Sequence, residues 1–195
     1  MTVWRDIEAA LDGMLDRRWY TNHGPMAQAL EARAAQVYGV RHAVVVANPT
    51  IGLVMLLEAL TLKGEVLVPP GARTRCHQAL RWAGLTATSR IGPGVAAILC
   101  SPADVDYHWA AEAAAAGVAF LTDGLGAHLG PALVDLLAWG DDAGAACVAT
   151  DDDALAARLR NIRSSYGAGV PVAVGRTVNG RISEIQAAVA LLALG

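Results

Sequence analysis

Residues 42–70 read HAVVVANPTIGLVMLLEALTLKGEVLVPP, and the fold is decided there. The run HAVVVA is short and apolar, the mark of a strand buried in a parallel sheet. PTIGLVMLLEAL follows with the length and composition of a helix, and GEVLVP reads as the next strand. Strand, helix and strand in so short a span is the unit from which open α/β sheets are built.

The same alternation runs outward in both directions. Towards the N-terminus, WRDIEAALDGMLDRR carries apolar residues at helical spacing. GPMAQALEARAAQVYGV begins with Pro25 at a helix start and stops at Gly39, where glycine suits a left-handed cap. Towards the C-terminus a helix is expected from about Arg73 to Trp82, with LTATS as a weak strand after it. VAAILC, VAFLTD and AACVAT are further strands, separated by DYHWAAEAAAAG and PALVDLLAW, both read as helices. DDDALAARLRNIR is a helix whose acidic start complements its dipole, and RISEIQAAVALLALG closes the chain as another. The expectation is a single α/β domain over residues 1–195: three layers, a mostly parallel sheet flanked by helices.

Composition narrows the function classes. The chain has 195 residues, 54% of them hydrophobic and 17% charged, so it is built to bury a core. A net charge of −3 argues against a nucleic-acid or anionic-membrane partner. Cys76, Cys100 and Cys147 lack metal-ligand spacing and read as buried free thiols of a cytoplasmic protein. The acidic, amphipathic N-terminus is no signal peptide, and no apolar run approaches the ~18 residues that span a bilayer.

Function in open α/β sheets gathers at the carboxyl ends of the strands. That edge is expected to carry Asn48 and Pro49, the loop from Pro69 to Arg75, Cys100 to Asp106, Asp123 to His128, and the segment near Asp141. Asp123 reads either as an acid or base or as the first residue of a DG turn. His128 reads as a proton-transfer partner or as a surface histidine. In RTRCH, Arg73 and Arg75 suit a carboxylate or phosphate, with His77 beside them. Cations in a first helical turn oppose the helix dipole at a cost of ~0.3–1 kcal/mol each. Asp104, Asp106 and His108 lack a second His or Cys at ligand spacing, so no metal is expected. Tyr166 and YGAGVPVAVG read as a loop able to act as a lid.

Several stretches, in order, resemble the DegT/DnrJ/EryC1/StrS sugar aminotransferases, fold-type I enzymes that use pyridoxal phosphate (PLP). They are residues 20–50, GEVLVPP, GVAFLTDGLGAHLG, TDDDALAARLRNIRSSYG and NGRISEIQAA, the last being the most specific. The resemblance implies the large domain of such an enzyme, with the second, C-terminal domain of the family expected to be absent. It makes Asp123 the partner of the cofactor's pyridine nitrogen and Thr50 a phosphate ligand. It also makes Asn179 a phosphate contact across a dimer, with Arg181 beside it, and sends the loop holding His23 towards the partner's site.

The departures weigh as much as the matches. Pro49 stands where the phosphate cup has glycine, PGARTRCH offers no aromatic ring to stack on the cofactor, and Gly126 replaces the usual polar residue. Ala138 falls at the Schiff-base position, and Lys63, the only lysine, lies in the turn before GEVLVP. Without that lysine there is no internal aldimine and no base for the 1,3-proton shift.

Two functions without cofactor are therefore expected, ahead of a third reading, non-covalent binding of PLP or its amine form, which keeps Asp123 but lacks the stacking ring and a proper phosphate cup. One is a PLP-independent enzyme acting on a polar or anionic small molecule by acid–base chemistry (cyclisation, isomerisation or elimination). Asp123, His128 and His23 would transfer protons, while Arg73, Arg75, His77, Thr50, Asn179 and Arg181 would bind. The other is a non-catalytic partner of a full-length aminotransferase-like protein. The apolar last helix is expected to leave surface for a homodimer or a hetero-complex to cover. Bacterial natural-product biosynthesis is the expected setting.

Overall fold

The computed structural model describes residues 4–101, 107–124, 132–136, 145–164 and 167–194. Helices α1 (Trp4–Arg17) and α2 (Pro25–Tyr38) precede strand β1 (His42–Val46), helix α3 (Pro49–Ala59) and strand β2 (Glu65–Leu67). Then come α4 (Thr74–Ala83), β3 (Thr86–Thr88), β4 (Val95–Cys100), α5 (Tyr107–Ala116) and β5 (Ala119–Asp123). The chain continues with β6 (Ala132–Leu136), β7 (Ala146–Thr150), α6 (Asp153–Ile162) and α7 (Glu184–Ala193).

The strands form one sheet in the order β1-β7-β6-β5-β4-β2-β3. β7 runs antiparallel to both its neighbours, and the remaining strands are parallel to one another. The mostly parallel α/β sheet expected from the sequence is thus present.

Residues 131–139 correct the sequence reading. PALVDLLAW was expected to be helical, yet Ala132–Leu136 is strand β6, paired with β5 on one side and β7 on the other. A short apolar run in the middle of a sheet needs no alternation, so its periodicity does not separate strand from helix.

Strand alternation sorts the core into two sides. Val44, Val46, Val66, Leu99, Leu121 and Val148 pack with α3, α4 and α6 in one cluster. On the other face Ala43, Val45, Cys147 and Ala149 pack with α2 and α7, while Leu67, Ile98 and Phe120 pack with α5. Helices on both faces make the three layers.

The last helix corrects a second expectation. Its Ala187 and Ala190 are fully buried in the cluster with α2, and Leu191 and Leu194 pack against that cluster, so α7 is not left uncovered. The motif NGRISEIQAA explains why. Ser183 caps α7, its side chain accepting from Gln186 N–H while Gln186 reaches back to Ser183. Glu184, 1% exposed, accepts from the Met26 amide at 2.8 Å and the Ala27 amide at 3.2 Å. Those amides are the orphan donors of α2, whose own cap, Gly24, has no side chain to offer. A Cβ on Gly24 would meet the Glu184 carboxyl carbon at 2.6 Å. The family-like motif is therefore a clasp between the last helix and the second.

Candidate functional site

Asp123 ends β5 at the carboxyl edge of the sheet and is 1% exposed. Arg75, in the first turn of α4, reaches it with a fork. Its Nε donates to Asp123 Oδ2 at 2.8 Å and Oδ1 at 3.0 Å, and its Nη2 donates to Oδ1 at 2.7 Å. Cys76 Sγ donates to Oδ2 at 3.3 Å. Burial, together with the adjacent carboxylate, pushes the Cys76 thiol up to about 12. The ion pair is the reason Arg75 tolerates a helix N-terminus: Coulomb attraction in a dry site outweighs a dipole effect of ~0.3–1 kcal/mol. The structure thus brings two expected site residues together, and commits each to the other.

The start of α3 lies at the same edge. Asn48 is its cap, with Oδ1 accepting from the Ile51 amide at 2.9 Å. The Gly52 amide is turned to the Asn48 carbonyl at 3.1 Å, and Pro49 has no amide to give. The first-turn donors other than Thr50's are taken or missing. Thr50 is half-buried there. Gly180 lies beside it, accepting from the Ala47 amide at 3.0 Å. A Cβ on Gly180 would come within 2.9 Å of Ile51 and Met55. Asn179, exposed, and Arg181, half-buried, flank this close approach.

Arg73 is the exposed residue preceding α4, and His77, half-buried, follows one turn on. His128, Asp104, Asp106, Ala138, Asp141 and Tyr166 lie outside the described residues. Lys63 precedes β2, at the edge opposite Asp123. Among the described residues no group of three or more His, Cys, Asp or Glu is placed to hold a metal ion.

His23 is elsewhere. Its Nε2 lies 3.0 Å from Glu31 Oε2. Glu31 Oε1 accepts in turn from Arg163 Nη1 at 2.7 Å and from the Val45 amide at 3.1 Å, and Arg163 also donates to the Val45 carbonyl at 2.6 Å. Val45 belongs to β1, three strands along the sheet from β5, or roughly 14 Å at ~4.8 Å per strand. His23 therefore does not share a site with Asp123. Burial lowers its pKa from 6.5, against the raising effect of Glu31. Gly167 packs on the ring so closely that a Cβ there would lie 2.5 Å from it.

Sequence reasoning missed Glu31, Arg163 and Glu184. The only signal was negative: charged residues at positions of helical stripes that are otherwise apolar.

A seven-stranded sheet with one antiparallel strand, and an aspartate ending its central strand, can be compared with known proteins. The model of the DegT/DnrJ/EryC1/StrS aminotransferase family matches residues 3–89. A dTDP-4-amino-4,6-dideoxy-D-glucose transaminase of Escherichia coli is 37% identical over 76 residues, 39% of this chain and 20% of that protein. The solved structure of DesI, in the presence of its TDP-sugar product, superposes with a TM-score of 0.83 at 27% identity over 100% of this chain. The chain is similar to members of the DegT/DnrJ/EryC1/StrS family. It spans 58% of the DesI chain and 52% of NtdA from Bacillus subtilis, solved with bound PMP, which shares the fold at a TM-score of 0.84 and 19% identity.

The resemblance implies an aspartate for the cofactor's ring nitrogen and helix amides for its phosphate. In this chain neither fits. A pyridinium would meet the Arg75 guanidinium where it needs the Asp123 carboxylate, and a phosphate would meet Pro49 and an occupied Asn48 cap.

Proposed function

We propose that this chain is a PLP-independent member of the DegT/DnrJ/EryC1/StrS family, serving as a non-catalytic partner of a full-length aminotransferase-like protein. The observation that carries the proposal is Arg75 on Asp123. A carboxylate that accepts three bonds from a guanidinium is already engaged and does not present itself to a pyridine ring. Binding and assembly are what such a scaffold retains. Trp19 and Tyr20, 44% and 49% exposed, immediately precede the loop of His23, which the family resemblance directs towards a second subunit. The setting is cytoplasmic and, by analogy with sugar-modifying relatives, bacterial natural-product biosynthesis.

A second reading is a PLP-independent enzyme acting by acid–base chemistry on a polar or anionic small molecule. The contact between His23 and Glu31 favours it. A buried carboxylate orienting one imidazole nitrogen leaves the other to move a proton.

Native mass spectrometry of the protein drawn from its own producing cells separates the two. A hetero-complex with a larger aminotransferase-like chain supports the partner reading. A homodimer or monomer carrying no second protein overturns it and leaves the enzyme reading to be pursued.

A further inference from the structure

β1 is a terminal strand of the sheet, with α2 on one face and α6 on the other. Along its free side lies a cavity of about 370 Å³, lined by Gln28, Glu31, Arg41, His42, Ala43 and Arg160 among others. That volume is at the small end of ligand sites, which run from roughly 300 to 1,000 Å³. We infer that this cavity binds the carboxylate or phosphate head of a small molecule, held by the Arg160 guanidinium and the Ala43 amide. The inference stands whether or not the chain is catalytic.

The charges of the cavity decide its preference. Glu31 is neutralised from behind by Arg163 at 2.7 Å. Asp153, at the start of α6, accepts from Arg41 at 2.9 Å and meets His42 Nε2 at 2.6 Å. Both carboxylates are thus matched by cations. Arg160, half-buried in the wall, has no hydrogen-bond or ion-pair partner among the described residues. Its planar fork of donors suits an oxyanion.

The strand adds a neutral donor. Val45 turns both its amide and its carbonyl outward, to Glu31 and Arg163. An antiparallel ladder repeats every second residue, so Ala43 turns its amide to the same side. Ala43 is 2% exposed and lines the cavity, and a buried amide is stabilised by any acceptor that reaches it.

His23 reports on occupancy. Burial lowers its pKa most, Arg163 and Arg160 lower it further, and Glu31 and Glu184 oppose them. An anion on Arg160 removes part of that lowering, so occupancy and the protonation of His23 are linked.

The test is NMR on the intact chain, titrated with inorganic phosphate and, separately, with succinate at constant ionic strength. Saturable shifts of the Ala43 amide, with an upward move of the His23 titration midpoint, are expected for at least one of the two. Phosphate alone marks the site for phosphate esters, and succinate alone for carboxylates. Arg160→Gln is expected to weaken binding at least tenfold. Ala32→Glu, an exposed substitution on the cavity wall that leaves Arg160 in place, is expected to do the same. Shifts that never saturate with either anion, or equal affinity in Arg160→Gln, overturn the inference.

Discussion

The Arg75 Nη2 donates to Asp123 Oδ1 at 2.7 Å, and the aspartate carries almost no exposed surface. A residue at the start of one helix thereby occupies the carboxylate that ends the central strand. The pair is a buried, forked ion pair among the described residues of the carboxyl edge, and it occupies the carboxylate that another cation would need.

Arg75→Ala should destabilise the protein by roughly 3–5 kcal/mol, because it strands a buried carboxylate without a counter-charge. The double variant Arg75→Met/Asp123→Leu should recover most of that loss, since an apolar pair of similar size removes the buried charge altogether. Urea denaturation of the wild type, Arg75→Ala and the double variant measures both terms. A double variant as unstable as Arg75→Ala would show that the charge pair is not the source.

Cys76 should be inert. Its thiol, pushed up to about 12 by burial and Asp123, is neutral at pH 8, and the thiolate is the reactive form. Alkylation of the native protein followed by mass spectrometry should find Cys76 unmodified, and modified only after unfolding. Rapid labelling of Cys76 in the native state would contradict the packing around Asp123.

Glu184 should matter for stability and not for ligands. Glu184→Ala removes two charge-assisted bonds to the first amides of α2, at a cost of about 1–3 kcal/mol. Gly24→Ala should also destabilise, because the new Cβ collides with that carboxylate. Thermal melts of both variants check this. An unchanged melting temperature for both would remove the clasp from the account.

His23 gives stability a pH dependence of known sign. Its folded pKa lies below 6.5, so between the two values the unfolded chain binds more protons than the folded one. Stability from this group is therefore complete above about 6.5 and declines as pH falls through that window. Comparing wild type with His23→Gln in denaturant melts at several pH values isolates it. A wild-type advantage that grows on acidification would contradict the burial of the neutral ring.

The sheet was legible because buried strands are written as apolar runs between glycine and proline signals, as in HAVVVA and GEVLVP. β6 escaped because its run has neither alternation nor a turn residue inside it. Asp123 and Arg75 were each singled out from their local setting. That they bind one another was not, since 48 residues separate them and only the fold closes that distance. The same holds for Glu184 and Met26, joined across 158 positions. His23 and Asp123 were grouped by analogy, and topology placed them three strands apart.

Arg75 holds the carboxylate that a pyridinium would need. Titrating the purified protein with PLP, then reducing with borohydride and weighing the intact chain, tests this most directly. The account predicts no saturable absorbance change and no added mass at Lys63 or elsewhere. Stoichiometric uptake of PLP that is lost in Asp123→Ala would contradict it.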